Sequence, residues 1–167
     1  MKKKILYFSC KSGILLGFLL ALITFFFFNY DAYQLMPHYN VYYVCFYITV
    51  LIFPIIISFL FLKQHQKIGF KDLFSIIFLI LCNSIFVHTI FTWLLYNLIE
   101  PNLIVQYADY MLVKISSSQI ESIDLDNVYS NLLSSFSLTN QLHSYVFFLI
   151  PCILYSTILS LFMKKLF

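Results

Sequence analysis

Four long apolar runs, Ser12 to Phe28, Val41 to Leu62, Leu73 to Ile99 and Ser144 to Met163, take up most of this chain. A helical run of about 20 apolar residues crosses a ~30 Å hydrocarbon layer, and a helix satisfies its own backbone where no water can. The sequence therefore predicts an all-α membrane protein with four transmembrane helices. Composition agrees: 62% of the side chains are apolar and 10% charged, too few to cover the surface of a water-soluble domain. Every basic residue is Lys, and Phe, Tyr, Ile and Asn are abundant. That bias fits an AT-rich genome, so aromatic abundance carries no functional weight.

The lysines set an orientation. Lys2, Lys3, Lys4 and Lys11 lead into the first run, Lys63, Lys67 and Lys71 separate the second from the third, and Lys164 and Lys165 follow the fourth. Only Lys114 lies elsewhere. By the positive-inside rule these clusters face the cytoplasm, giving an N-in/C-in topology with a helical extracytoplasmic insert between helices three and four. Asp31, Glu100, Asp109, Glu121, Asp124 and Asp126 fall in the outer segments and Asp72 inside, which is consistent. The first run reads as a retained helix and not a cleaved signal, because Phe25 to Asn29 offers no small-residue cleavage site. Cys10, Cys45, Cys82 and Cys152 match no metal or haem spacing and read as small packing residues.

Two stripes of small residues are candidates for close helix packing. Gly13, Gly17 and Ala21, with Ser9, recur at fourfold spacing on the first helix, and Cys152, Ser156 and Ser160 on the fourth. Such a stripe lets another backbone approach, either a neighbouring helix of the same chain, the favoured reading, or a second copy. Pro54 deprives the carbonyl of Val50 of its hydrogen bond, and Pro151 that of Phe147, so both predict kinks. Thr49 or Ser58 is placed to re-satisfy the backbone near Pro54.

Ser84, His88 and Thr92 share a face of the third helix, an intramembrane polar site by position. A histidine there can relay protons or bind metal. The favoured alternative is a neutral imidazole hydrogen-bonded across helices to Ser156 or Thr157, since no intramembrane carboxylate accompanies it.

Tyr30, Tyr33, Tyr39, Tyr42 and Tyr43 cluster around the first outer connection and read as an interfacial belt. The turn Lys63 to Asp72 is basic and suits anionic headgroups, with Asp72 placed to cap the third helix. The outer segment 101–143 reads as helical and amphipathic. Ile104, Ala108, Met111 and Ile115 oppose Gln106 and Asp109; Ser116, Ser117 and Ser118 break that helix; and a second starts near Asp124 with Val128, Leu132 and Phe136 as its apolar face.

Four spans, a lysine-rich start, a helical insert before the last span and the turn Lys67-Ile68-Gly69-Phe70-Lys71-Asp72-Leu73-Phe74 resemble the domain-of-unknown-function 4199 family of small bacterial inner-membrane proteins. In that family the turn more often reads Ser-Phe followed by a small residue, where this chain has Gly69 and Leu73. The resemblance implies a multi-pass protein of the bacterial inner membrane and brings no catalytic residues. The chain carries no HExxH, phosphate loop or acidic metal cluster, so the expectation is a non-enzymatic protein without cofactor. Its net charge of +3 follows from membrane orientation and not from nucleic-acid binding. The expected partners are the lipid bilayer and either further copies of itself or another membrane protein. The leading function is a structural or accessory subunit acting through helix packing and its outer helical cap, and the alternative is a small oligomeric transporter or channel.

Overall fold

The computed structural model describes residues 2–30, 40–64, 68–117 and 125–166, and every element in them is helical. In chain order these are α1 (Lys2–Tyr30), α2 (Asn40–Gln64), α3 (Phe70–Leu94), a π-helical turn (Leu95–Ile99), α4 (Asn102–Ser117), α5 (Leu125–Ser135) and α6 (Leu138–Leu166). The protein is all-α, and α1, α2, α6 and α3 with its π-turn are each long and apolar enough to cross a membrane. Readings placed on Asp31, Tyr33, Tyr39, His65, Lys67, Ser118, Glu121 and Asp124 lie outside the described residues.

The chain divides into two units, Met1–His88 with Tyr145–Phe167, and Thr89–Ser144. In the first, α3 is central. Ile76 and Ile80 pack with Leu16 and Leu20 of α1 and Phe61 of α2. On another face Leu73, Ile77, Leu81 and Ile85 meet Leu62 of α2 and Cys152, Leu159 and Met163 of α6. Lipid tails are as apolar as these side chains, so burial here stabilises through close van der Waals packing and not through exclusion of water. Gly69 opens α3 by accepting the amides of Asp72 and Leu73 on its carbonyl, each at 3.1 Å. Asp72 is thus not the cap but a first-turn carboxylate, where the positive end of the helix dipole favours it.

The second unit builds its own small core. Phe136, just after α5, meets Tyr96 of the π-turn at 5.0 Å and Tyr107 of α4 at 5.7 Å, both edge-on. Asn97 donates to the Phe136 carbonyl at 3.0 Å. On α4, Leu103 and Ala108 are buried while Gln106 and Asp109 face out. Ser116 and Ser117 are the last described residues of α4, so the helix as described ends at the serine run.

The joint between α5 and α6 is closely specified. Ser137 caps α6 by accepting the Asn140 amide at 3.4 Å. Asn140 and Gln141 in turn donate their side-chain amides to the carbonyls of Ser134 and Ser135 at 2.8 and 3.2 Å, satisfying the open end of α5. Hence α6 begins at Leu138, ahead of the apolar run that starts at Ser144.

Candidate functional site

Three helices of the first unit converge on one polar cluster. Thr24 near the end of α1 and Tyr42 near the start of α2 meet His88 of α3, with Thr24 Oγ1 2.9 Å from the Tyr42 hydroxyl and 3.0 Å from His88 Nε2. The Tyr42 hydroxyl lies 3.3 Å from the same nitrogen. Thr24 also donates to the carbonyl of Leu20 at 3.0 Å. With that proton directed at Leu20, all four contacts are bonded only if the Tyr42 hydroxyl donates to Thr24 and a protonated Nε2 donates to Thr24 and Tyr42. His88 is then held as the Nε2–H tautomer. The ring of Phe46 covers the imidazole, centroids 4.8 Å apart.

Helix periodicity explains why Thr24 is available. It follows Ser9, Gly13, Gly17 and Ala21 on the stripe of α1 that turns to α3. A Cβ added at Gly13 would lie 2.8 Å from both Asn83 Cβ and Ile80 O, and one at Gly17 would lie 2.6 Å from Val87 Cβ. Only glycine permits that approach, and two turns beyond Gly17 the stripe carries Thr24 towards His88. Ala21 is buried as well.

His88 therefore pairs with Thr24 and Tyr42, and not with Ser156 or Thr157. Thr157 donates to Ile153 on its own helix at 2.8 Å. The Ser156 hydroxyl is fully buried and has no hydrogen-bond partner among the described residues, as is true of Ser58. Tyr42 is not a belt tyrosine: it is 5% exposed, while Tyr30 is 78% exposed. Ser84 and Thr92 direct their hydroxyls at the backbone of α3. Ser84 donates to Leu81 at 2.9 Å and Thr92 to Thr89 at 3.0 Å, each on its own helix.

The remaining candidates are structural in placement. Cys152, Ser156 and Ser160 are buried, and Ser160 donates to Thr157 at 3.0 Å. Thr49 donates to Cys45 at 2.8 Å, so neither it nor Ser58 bonds the backbone freed by Pro54. Tyr155 of α6 donates to the carbonyl of Leu51, next to the Val50 carbonyl that Pro54 leaves unbonded, at 2.5 Å. Pro54 is fully buried and Pro151 exposed, each within its helix. All four cysteines are free thiols. Among the described residues no three of His, Cys, Asp and Glu gather to hold a metal ion.

In the second unit, partial burial against the aromatic core raises the Tyr107 phenol above its ordinary value. A groove of about 780 Å³ opens between α1 and α2 in the first unit, lined mainly by Leu22, Phe25, Phe26, Cys45, Ile48 and Thr49.

No curated protein and no solved structure matches the chain. A family model does, over residues 11–165, which takes in α1 from Lys11, all the helices between, and α6 nearly to its end. The chain belongs to the family described as protein of unknown function (DUF4199).

Proposed function

We propose that this protein is a structural or accessory subunit of a bacterial inner membrane, with both termini cytoplasmic and the second unit outside. The observation that supports this reading is how the polar groups of the first unit are used. Ser9, Thr24, Thr49, Asn83 and Ser84 each return a proton to a carbonyl of their own helix. His88 and Tyr42 form hydrogen bonds across helix contacts that fix the register of α1, α2 and α3. Leu16, Leu20, Ile76 and Ile80 close the space towards the lysine-bearing end, each with 0% exposure. Chemistry directed at packing serves a scaffold. In this reading the chain has no catalytic role and requires no cofactor.

The test is gentle extraction of the tagged protein from its native membrane, mass spectrometry of what co-purifies, and the mass of the intact complex. A stoichiometric membrane partner is the expected result. A homo-oligomer free of other proteins would overturn the accessory reading.

One observation favours a second reading, a small oligomeric transporter or channel: an imidazole hydrogen-bonded to two hydroxyls within otherwise apolar helices is a feature of intramembrane pathways. That reading predicts that His88→Ala abolishes flux in proteoliposomes at unchanged membrane abundance. Flux unaltered by the substitution would leave His88 a packing residue.

A further inference from the structure

The lipid-facing side of α1 is ordered from charge to apolar surface. Lys4 and Lys11 are two helical turns apart and share a face, which Leu15, Phe18 and Leu22 continue at spacings of three and four. All five are exposed. Leu22 then enters the groove of about 780 Å³ that Phe25 and Phe26 form with Ile48 of α2. Lys11 is set deeper than the other lysines of this end. The Phe8 ring of α1 meets the Phe61 ring of α2 at 4.6 Å, so Lys11 stands about a turn inward of that level while Lys63 lies outward of it. A lysine at that depth snorkels its ammonium towards the headgroup layer, where an anionic headgroup is a favourable partner. Among the described residues no lysine of this end makes an ion pair, and Asp72 is the only acidic residue among the described residues of the first unit.

From Lys11 to Leu22 is roughly 16 Å along the helix, close to the thickness of one hydrocarbon leaflet. A lipid whose phosphate is held at Lys4 and Lys11 thus places the end of its acyl chain in the groove. Charge complementarity at one end and an apolar groove one leaflet away fit the same molecule.

We propose that α1 carries a binding site for an anionic phospholipid, with its headgroup phosphate between Lys4 and Lys11 and an acyl chain along Leu15, Phe18 and Leu22 into the α1–α2 groove. The full-length protein, reconstituted in phosphatidylcholine bilayers, is probed by electron spin resonance with chain-labelled phosphatidylglycerol and chain-labelled phosphatidylcholine. Each lysine is expected to contribute about fivefold to the preference for phosphatidylglycerol, so Lys4→Gln with Lys11→Gln lowers it by about 25-fold. Lys164→Gln with Lys165→Gln leaves the preference intact. An equal loss in both double variants would reduce the effect to a general basic surface and overturn the site. Leu22→Trp fills the groove at an exposed position and is expected to remove the immobilised chain signal; an unchanged signal would overturn placement of the chain there. A cysteine at position 22, Leu22→Cys, that cross-links into a dimer in the same bilayers would assign the groove to a second copy, which also overturns the proposal.

Discussion

Replacing Gly17 by Ala puts a Cβ 2.6 Å from Val87 Cβ, 2.9 Å from Val87 Cγ1 and 3.0 Å from the Ser84 carbonyl. Carbon atoms in contact normally lie 3.5–4.0 Å apart, so α1 and α3 must separate by roughly 1 Å at this level. No side-chain rotation relieves the clash, because Val87 Cβ and the Ser84 carbonyl are fixed to the α3 backbone. Overpacking of this kind costs about 1–3 kcal/mol, and the better helix propensity of alanine returns up to about 1 kcal/mol. The expected net loss is about 1–2 kcal/mol, read from reversible unfolding of the full chain in mixed micelles or by steric trapping in bicelles. Gly13→Ala meets Asn83 Cβ and Ile80 O at 2.8 Å and belongs to the same contact. Once the helices have parted for one alanine the second intrudes less, so the double variant costs less than the sum. Gly69→Ala is the comparator, since its Cβ meets nothing within 4 Å. A Gly17→Ala protein as stable as the parent would refute the close approach of α1 and α3. Loss of self-association at unchanged stability would make the stripe a dimer seam.

Four further substitutions test single side chains. Ser156→Ala removes a buried hydroxyl without a described partner and should stabilise by about 1 kcal/mol in the same unfolding assay, whereas destabilisation would reveal a partner for Ser156. Tyr42→Phe and Thr24→Val should each cost about 0.6 to 1.7 kcal/mol, and the double variant less than their sum; strict additivity would mean the hydroxyls are not bonded to one another. Phe136→Ala should remove about 2–3 kcal/mol from the second unit, because one half-buried ring carries the contacts to both Tyr96 and Tyr107. Hydrogen exchange should then rise in α4 and α5 but not in the first unit, and uniform acceleration would show that the two units unfold together.

The all-α architecture with four apolar spans was legible because uninterrupted apolar runs of that length have few alternatives in lipid. The start of α6 was not. The apolar run begins only at Ser144, yet Asn140 and Gln141 satisfy the open end of α5 while already belonging to α6. Belt tyrosines are common, so sequence alone places Tyr42 at the interface, although its hydroxyl turns inward. Hydroxyls are abundant on the last helix, which makes it the obvious source of a partner for His88. A better signal was present: the small-residue stripe on α1 continues from Ala21 to Thr24, so a face that approaches α3 at Gly17 delivers a hydroxyl to α3 two turns later.

The geometry of that cluster bears on which functional reading is economical. Thr24 Oγ1 accepts from both Tyr42 and His88 while donating to Leu20, so all of its capacity is taken when the three helices are in register. Sliding any one of them by a residue, 1.5 Å along its axis, lengthens at least one of these bonds beyond 3.5 Å or breaks its alignment. An alternating-access cycle must move helices past one another and would leave buried donors unpaired in lipid at each crossing, a cost of about 1–3 kcal/mol for each group. Phe46 covers the imidazole on one side, and Thr24 directs its own proton at the Leu20 carbonyl one turn below. A junction with every bond taken and apolar cover rewards a single arrangement of α1, α2 and α3. Fixing helix register is what a packing subunit requires of a buried histidine.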